Sequence, residues 1–426
     1  MSRFFAASLT TAPAYPYAYF WGARAHSTAM APTPSDNTPA WPLWLRLLRV
    51  PGLGPARIKR VYLAMQMDGA VEAGALAQGP HALQNNPLLG LRYGLSAAQC
   101  HAFGDHSPEW QHTLDQTQRW LAQGETRFIV TLGEPDYPPQ LMDISDPPTL
   151  LFGEGCRGLL TAPPALAIVG SRNPSAQGLR NANRFAATAA ESGLTVVSGM
   201  ALGIDGAAHA GALSVAAQTG PNTMAVLGTG IDVVYPRQHQ QLAGDIAEQG
   251  LLLSEFVLGA GPQRMHFPRR NRLIAGLALG TLIVEAAPAS GSLITAQMAV
   301  DMGREVFAIP GSIHVTQSKG CHLLIKQGAK LVESVADILD DLPPLPPRPN
   351  RTNRTNRTSR PNGTAEAVDD VLHPGLCQHM GFDPLSLDDL LSRTQWDVAS
   401  LQVALFELEL AGRVARMPGG LFQQLA

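Results

Sequence analysis

The sequence predicts an α/β protein. Its centre is a Rossmann-like, doubly wound parallel sheet, preceded by a small helical domain and followed by a winged-helix domain. Three observations predict the core. Six apolar runs follow one another: "LAIVG" at 166, "LTVVSG" at 194, "TMAVLG" at 223, "LLLSEF" at 251, "TLIVEA" at 281 and "EVFAIPG" at 305. The runs are continuously apolar rather than alternating, as in strands buried on both faces, and amphipathic segments of helical length separate most of them. Several runs close on Gly or Ser, at the carboxyl strand ends where open α/β sheets bind ligands.

Composition agrees with this class. The chain has 426 residues, 45% apolar and 15% charged, enough for several domains around large cores and too apolar for a disordered chain. A net charge of −3 supplies no global field for nucleic acid, so any such contact must come from local patches. The four cysteines (Cys100, Cys156, Cys321, Cys377) show neither CxxC pairing nor a histidine group at ligand spacing. No disulfide framework, metal site or cofactor is expected, and a reducing cytosol fits. The uncharged apolar stretch 273–284 is too short to cross a bilayer.

Along the chain, residues 1–40 are expected to be disordered, or a miscalled start with Met30 of "MAPTPSDNTPAW" as the true one; "APA" behind Arg3 only faintly resembles a signal peptide. Residues 41–130 read as a helical domain. "LRVPGLGPARIKRV" (Leu48–Val61) reads there as helix, glycine hairpin, helix. Arg57, Lys59 and Arg60 make it a possible accessory DNA contact, with a protein-contact hairpin as the alternative. The core is expected over 131–342, beginning with a Pro- and Gly-rich connection. Residues 343–374, with their RTN repeats, read as a linker. Residues 375–426 hold two helices and a short "RVARMPGGLFQQL" hairpin, the profile of a winged helix-turn-helix. Three arginines against six acids there suit a protein contact better than a DNA groove.

Three strand-end turns carry candidate chemistry. In "IVGSRNPSAQG" (Ile168–Gly178), Gly170 allows a tight turn, while Ser171, the following amides and Arg172 suit a phosphate. Only one glycine stands where the dinucleotide fingerprint needs three, so that fingerprint fails. In "VVSGMALGIDGAAHAGAL" (Val196–Leu213), Ser198 and Gly199 sit at the turn, and Gly203 and Asp205 cap the next helix. His209, one helical turn beyond Asp205, reads as a satisfied histidine rather than a catalytic partner. In "APASGSLITAQMAV" (Ala287–Val300), Ser290, Gly291 and Ser292 would present amides and hydroxyls at a helix start. "FPRRNRLIAGLA" (Phe267–Ala278) adds Arg269, Arg270, Asn271 and Arg272. Buried unpaired arginine is costly, so the cluster reads as a polyanion contact, with ion pairs to Glu255 or Glu285 as the alternative for individual arginines.

Together with "AVLGTGIDVVYP", "GREVFAIPGS" and "KGCHLLIKQGAKLV", these segments resemble, motif after motif and in order over 166–333, the DNA-processing protein A (DprA/Smf) family. The resemblance implies a non-enzymatic, dimeric binder of single-stranded DNA that protects incoming DNA in natural transformation and helps load RecA recombinase. Carried over by motif, Gly170, Ser171, Arg172, Ser198, Gly199, Arg269, Arg270, Asn271, Arg272, Gly291 and Ser292 would hold the strand's phosphates, with Lys326 a further contact. Two positions depart from the family pattern: Leu202 stands where many relatives carry Lys or Arg, and His322 where Asn is common.

A second reading is a nucleotide phosphoribohydrolase-like enzyme on a similar sheet. Its "GGxGTxxE" motif, laid on "SGSLITA", puts Thr295 where the catalytic glutamate belongs, which removes the stabiliser of an oxocarbenium ion. A third reading, a plain interaction module, leaves the three Gly/Ser turns without a purpose.

Overall fold

The computed structural model describes residues 41–67, 94–102, 107–161, 164–344 and most of 373–425. Residues 1–40 and nearly all of the 343–374 linker lie outside them. The N-terminal helices include α1 (Trp41–Leu47), α2 (Pro55–Met67) and α3 (Pro108–Ala122), with a short helical turn at Ala97–Ala102 before α3. Ser107 caps α3, its hydroxyl accepting the Trp110 amide at 3.2 Å, and a proline follows in the first turn, where no amide is lost. Trp44, Tyr62, Trp110 and Trp120 are buried, and Trp120 stands edge-on to Phe152 of the sheet at 5.7 Å. The helices therefore share a core with the sheet.

That sheet begins earlier than the sequence suggests. β1 (Arg127–Thr131) and β2 (Leu150–Gly155) pair antiparallel, Arg127 opposite Glu154 and Thr131 opposite Leu150. β2 then lies antiparallel on β6 (Leu251–Ser254), with Phe152 opposite Ser254. The region assigned to a helical domain and a loose connection thus supplies one edge of the main sheet. β2 finds its second partner about a hundred residues downstream, and such non-local pairing leaves no local pattern.

The six predicted strands all form: β3 (Ala165–Val169), β4 (Thr195–Ser198), β5 (Thr223–Val226), β6, β7 (Gly280–Ile283) and β8 (Glu305–Ala308). A short β9 (Lys330–Leu331) closes the far edge. The order is β1-β2-β6-β5-β4-β3-β7-β8-β9, parallel from β6 onward. The chain winds outward from β3 to β6, then returns to the other side of β3 with β7. The topological switch point thus lies between the carboxyl ends of β3 and β7, where such sheets bind ligands.

Six helices of eight or more residues accompany the parallel strands among the described residues: α4 (Ala176–Glu191), α5 (Ile204–Ser214), α6 (Gln240–Gln249), α7 (His266–Leu277), α8 (Gly291–Asp301) and α9 (Lys319–Lys326). α4 shows why they form. Ala182, Phe185, Ala186 and Ala189 recur at helical spacing and are buried, and Ser175 caps the start by accepting the Gly178 amide at 2.9 Å. α5 crosses α4 so closely that a Cβ at Gly211 would overlap the Asn183 carbonyl.

The C-terminal winged helix comprises β10 (Leu385–Ser386), α10 (Leu387–Thr394), α11 (Val398–Leu410), β11 (Val414–Met417) and β12 (Leu421–Gln424). Its sheet order is β10-β12-β11. Leu390, Leu401, Leu405, Leu408 and Val414 form a core of its own. Among the described residues no helix is long and apolar enough to cross a membrane.

The α4–α5 crossing makes a test of this packing. Gly211→Ala should overpack it and cost about 1–3 kcal/mol, seen as a lower urea midpoint for unfolding at unchanged slope; an unchanged midpoint would show that the helices part at no cost.

Candidate functional site

The strand order sets the turns after β4, β3 and β7 side by side. With strands about 4.8 Å apart, the three turns span roughly 10 Å. Gly170 and Ser171 follow β3 directly. The Ser171 amide is spent on the Glu285 carbonyl at 2.7 Å, and the Ser171 carbonyl accepts the Ile204 amide at 3.1 Å, which ties the β3 turn to both neighbours. Arg172 is exposed, and its guanidinium lies over the Phe267 ring, 5.4 Å from the centroid. On the β7 side, Ser290 caps α8, and its hydroxyl lies 2.7 Å from that of the buried Ser292; Gly291 is exposed.

The arginines of α7 divide into two kinds. Arg270 is 3% exposed and reaches down between β4 and β5, donating to the Val226 carbonyl at 2.7 Å. A Cβ at Gly199 would overlap its guanidinium, so only glycine fits there. Burial lowers the Arg270 pKa to about 10, with Asp205 opposing and Arg172 adding to the shift; the group stays charged at neutral pH. Its Nε is buried without a hydrogen-bond partner among the described residues. Asp205, also buried, accepts the Gly199 amide at 3.2 Å and the Ala201 amide at 3.3 Å. Burial pushes its carboxyl up, while Arg270 and those two amides pull it down.

Arg272 corrects one expectation. It is 5% exposed, donates to the Asp146 carbonyl at 2.6 Å, and pairs with the buried Glu255 and with the Asp146 carboxylate. It fastens α7 to the loop before β2 and is not free to meet a phosphate. Arg269 is half exposed and also pairs with Glu255, at 3.3 Å. Asn271 is half-buried beside them. Ser198 is a second correction: its hydroxyl is fully buried and donates to the Ile168 carbonyl at 2.6 Å, so it braces β4 against β3.

Outside this ring, Lys326 is exposed at the end of α9, roughly 9 Å along the axis from Gly320, whose amide donates to the Ala286 carbonyl at 2.7 Å. His322 reaches the Gly311 carbonyl at 2.9 Å, a tie between α9 and the turn after β8. Leu202 is exposed at the rim. In the N-terminal hairpin, Lys59 is a third correction. Its ammonium donates to the carbonyls of Met142 and Ile144 at 2.6 and 2.7 Å, docking α2 on the core. Arg57 donates to the Gly94 carbonyl at 2.5 Å, and Arg60 is exposed.

The structure adds what the sequence reading did not place. Tyr235, exposed in the loop after β5, meets Phe267 with ring centroids 5.7 Å apart. Tyr235 and Phe267, tilted 42° to each other, thus form one contiguous cluster with Arg172 beside the β3 turn. Three separate segments contribute to it. Tyr235 stands in the "AVLGTGIDVVYP" segment, where nothing local marks it as a neighbour of Phe267. His209 is fully buried, with Nδ1 2.8 Å from the Thr223 hydroxyl; it is a core histidine.

A doubly wound sheet with glycine turns and arginines at its switch point, followed by a winged helix, defines an α/β protein of the Rossmann type. The family model for DNA recombination-mediator protein A matches residues 128–343, and that for the DprA winged helix domain matches 360–420. Protein Smf of Escherichia coli K12 is 37% identical over 383 residues, covering 89% of this chain and 94% of that protein. DNA processing protein DprA of Streptococcus pneumoniae is 49% identical over 203 residues, 48% of this chain and 70% of that one. The X-ray structure of the pneumococcal protein aligns with a TM-score of 0.56 at 36% identity, over 71% of this chain and 98% of that one. The chain belongs to the DNA recombination-mediator protein A (DprA/Smf) family of DNA-processing proteins.

Two outcomes follow from the buried charges. Glu255→Ala leaves Arg272 buried without its main partner and should cost about 3–5 kcal/mol in chemical denaturation, whereas Arg172→Ala, at the surface, should leave the midpoint in place. His209, with its pKa lowered to about 3 chiefly by burial, gives a pH signature. Below about pH 6.5 the unfolded chain takes up a proton that the folded one refuses, so stability falls on acidification toward pH 3, by up to about 1.4 kcal/mol per unit. His209→Gln should flatten that part of the stability–pH curve; an identical slope would assign it elsewhere.

Proposed function

We propose that the switch-point crevice binds single-stranded DNA, and that the protein is a recombination mediator which protects incoming DNA and helps load RecA recombinase in natural transformation. The observation that carries this is the Tyr235–Phe267–Arg172 cluster beside the glycine turns. Aromatic faces interleaved with arginine, next to backbone amides, suit unpaired bases on a phosphate track; a duplex keeps its bases stacked inside. In this reading Arg172, Arg269 and Asn271, with Gly170, Ser171 and Gly291, face the strand, while the buried Ser292 hydroxyl braces the turn through Ser290. Arg270 contributes charge from below through Gly199.

A non-catalytic role is supported by the state of the carboxylates. Glu285 accepts the Ser175 amide and hydroxyl at 2.9 and 2.5 Å, and Asp205 is held by two amides. Thr295, where a phosphoribohydrolase would hold its glutamate, is buried. Among the described residues, both carboxylates nearest the switch point are thus engaged in structural hydrogen bonds. RecA loading and a cytoplasmic setting rest on the family resemblance. A homodimer is supported by the β9 edge, where Leu323 and Leu331 are exposed beside an edge strand.

The test is fluorescence anisotropy of a labelled oligo-dT strand and a duplex of equal length across a salt series. The single strand should bind more tightly, with log K falling by about 0.7 per phosphate contact against log salt. Arg172→Ala should shallow that slope by about one contact, and Phe267→Ala should weaken binding by about 1–3 kcal/mol at unchanged slope. Equal binding of duplex, or binding indifferent to both changes, would overturn the reading, and hydrolysis of nucleoside monophosphates would replace it with the enzyme.

A further inference from the structure

The winged-helix domain contains a helix with two apolar faces. Along α11, Leu401, Ala404, Leu405 and Leu408 are buried in the domain's own core. Val403, Phe406 and Leu410 share the other side at spacings of three and four residues, and are 57, 59 and 73% exposed. A helix apolar on both sides is covered on both sides when it functions, and a contiguous exposed apolar patch marks an interaction surface.

Charge decides what covers it. At 100° per residue, Glu407 falls on one flank of the stripe and Glu409 on the other; both are exposed, and Glu407 also meets His373 at 2.6 Å. The two helices and the cap of α11 carry Asp388, Asp389, Asp397, Glu407 and Glu409 against Arg393 alone. α11 is the second helix of the helix-turn-helix, the one that enters the major groove in DNA-reading domains. Here its outward face offers Val, Phe, Leu and Glu, none of which neutralises a phosphate. A second copy of the same face would set glutamates against glutamates, and like-charge juxtaposition across an interface is costly.

We propose that the outward face of α11 docks an amphipathic helix of another protein, whose apolar stripe is flanked by lysine or arginine. Phe406 and Leu410 supply the apolar anchors, and the flanking glutamates set register and orientation through ion pairs with the partner's basic residues. The site is separate from the crevice and does not require DNA.

The test uses the full chain and labelled synthetic peptides of about five helical turns: a Leu-striped helix flanked by Lys, the same stripe flanked by Glu, and a scramble of the first. The Lys-flanked helix should bind and weaken as salt rises, the scramble should not bind, and Phe406→Ser/Leu410→Ser should weaken binding at least about tenfold. Glu407→Lys/Glu409→Lys should transfer the preference to the Glu-flanked peptide. Unchanged thermal melting in both variants shows the fold intact, as expected for exposed positions. Equal binding of the scramble, or variants without effect, would overturn the proposal. So would duplex binding lost in Phe406→Ser/Leu410→Ser, which assigns the face to DNA, or self-association lost in that variant, which assigns it to a second copy.

Discussion

Two guanidinium groups buried at the middle of α7 constrain the rest of the core. A buried cation has to be met by carboxylates or carbonyls, and each of these two is met by elements distant in sequence. Arg272 draws Glu255 from the end of β6 and Asp146 from the loop before β2. Arg270 takes the Val226 carbonyl at the end of β5 and lies against Gly199 at the end of β4. Four segments are thereby pinned to one helix across the carboxyl edge of the sheet. Replacing either arginine disturbs several elements at once, whereas Arg172 can be changed at the surface.

The same arrangement prepares the crevice electrostatically. Buried positive charge at the base needs no reorganisation when an anion arrives, and a low local dielectric strengthens its field. Asp205 is placed to steady the turn over Arg270 without reaching the opening, because its carboxylate is turned toward the amides of Gly199 and Ala201. The solvent-facing part of the site is a thin layer of the exposed Arg172 and Tyr235 with the half-buried Phe267 between them. The division of labour is physical: buried groups fix the shape and sign of the crevice, and exposed ones are free to follow a flexible ligand.

The core and the winged helix have opposite surface characters. Arginines gather at the sheet's carboxyl edge, while acids flank an apolar stripe on α11. A chain with a net charge of only −3 reconciles these by segregating charge between domains, a distribution that a whole-chain sum conceals. The basic edge and the acidic, apolar face thus lie on separate domains.

Much of this was legible from residues alone. The parallel strands were readable because a strand buried on both faces must be continuously apolar, and "LAIVG" or "TLIVEA" has few other uses. The glycine and serine turns were readable because a strand-to-helix turn beside a ligand restricts residue choice. The winged helix was readable from its two periodic helices and "MPGG" turn. What sequence could not divide were the arginines of "FPRRNR". Helical periodicity spreads Arg269, Arg270 and Arg272 over different faces of α7, but burial depends on what packs against each face, and Glu255 and Asp146 are brought there only by the folded sheet. Ser198 and Lys59 were misjudged for the same reason, since their partners are carbonyls of remote segments. The sequence by itself determined the class of fold and the neighbourhood of the site, through local periodicity and turn chemistry. Tertiary structure alone decided which charges are structural and which face solvent, and it joined Tyr235, Phe267 and Arg172, because contacts between distant segments leave no periodic trace in the chain.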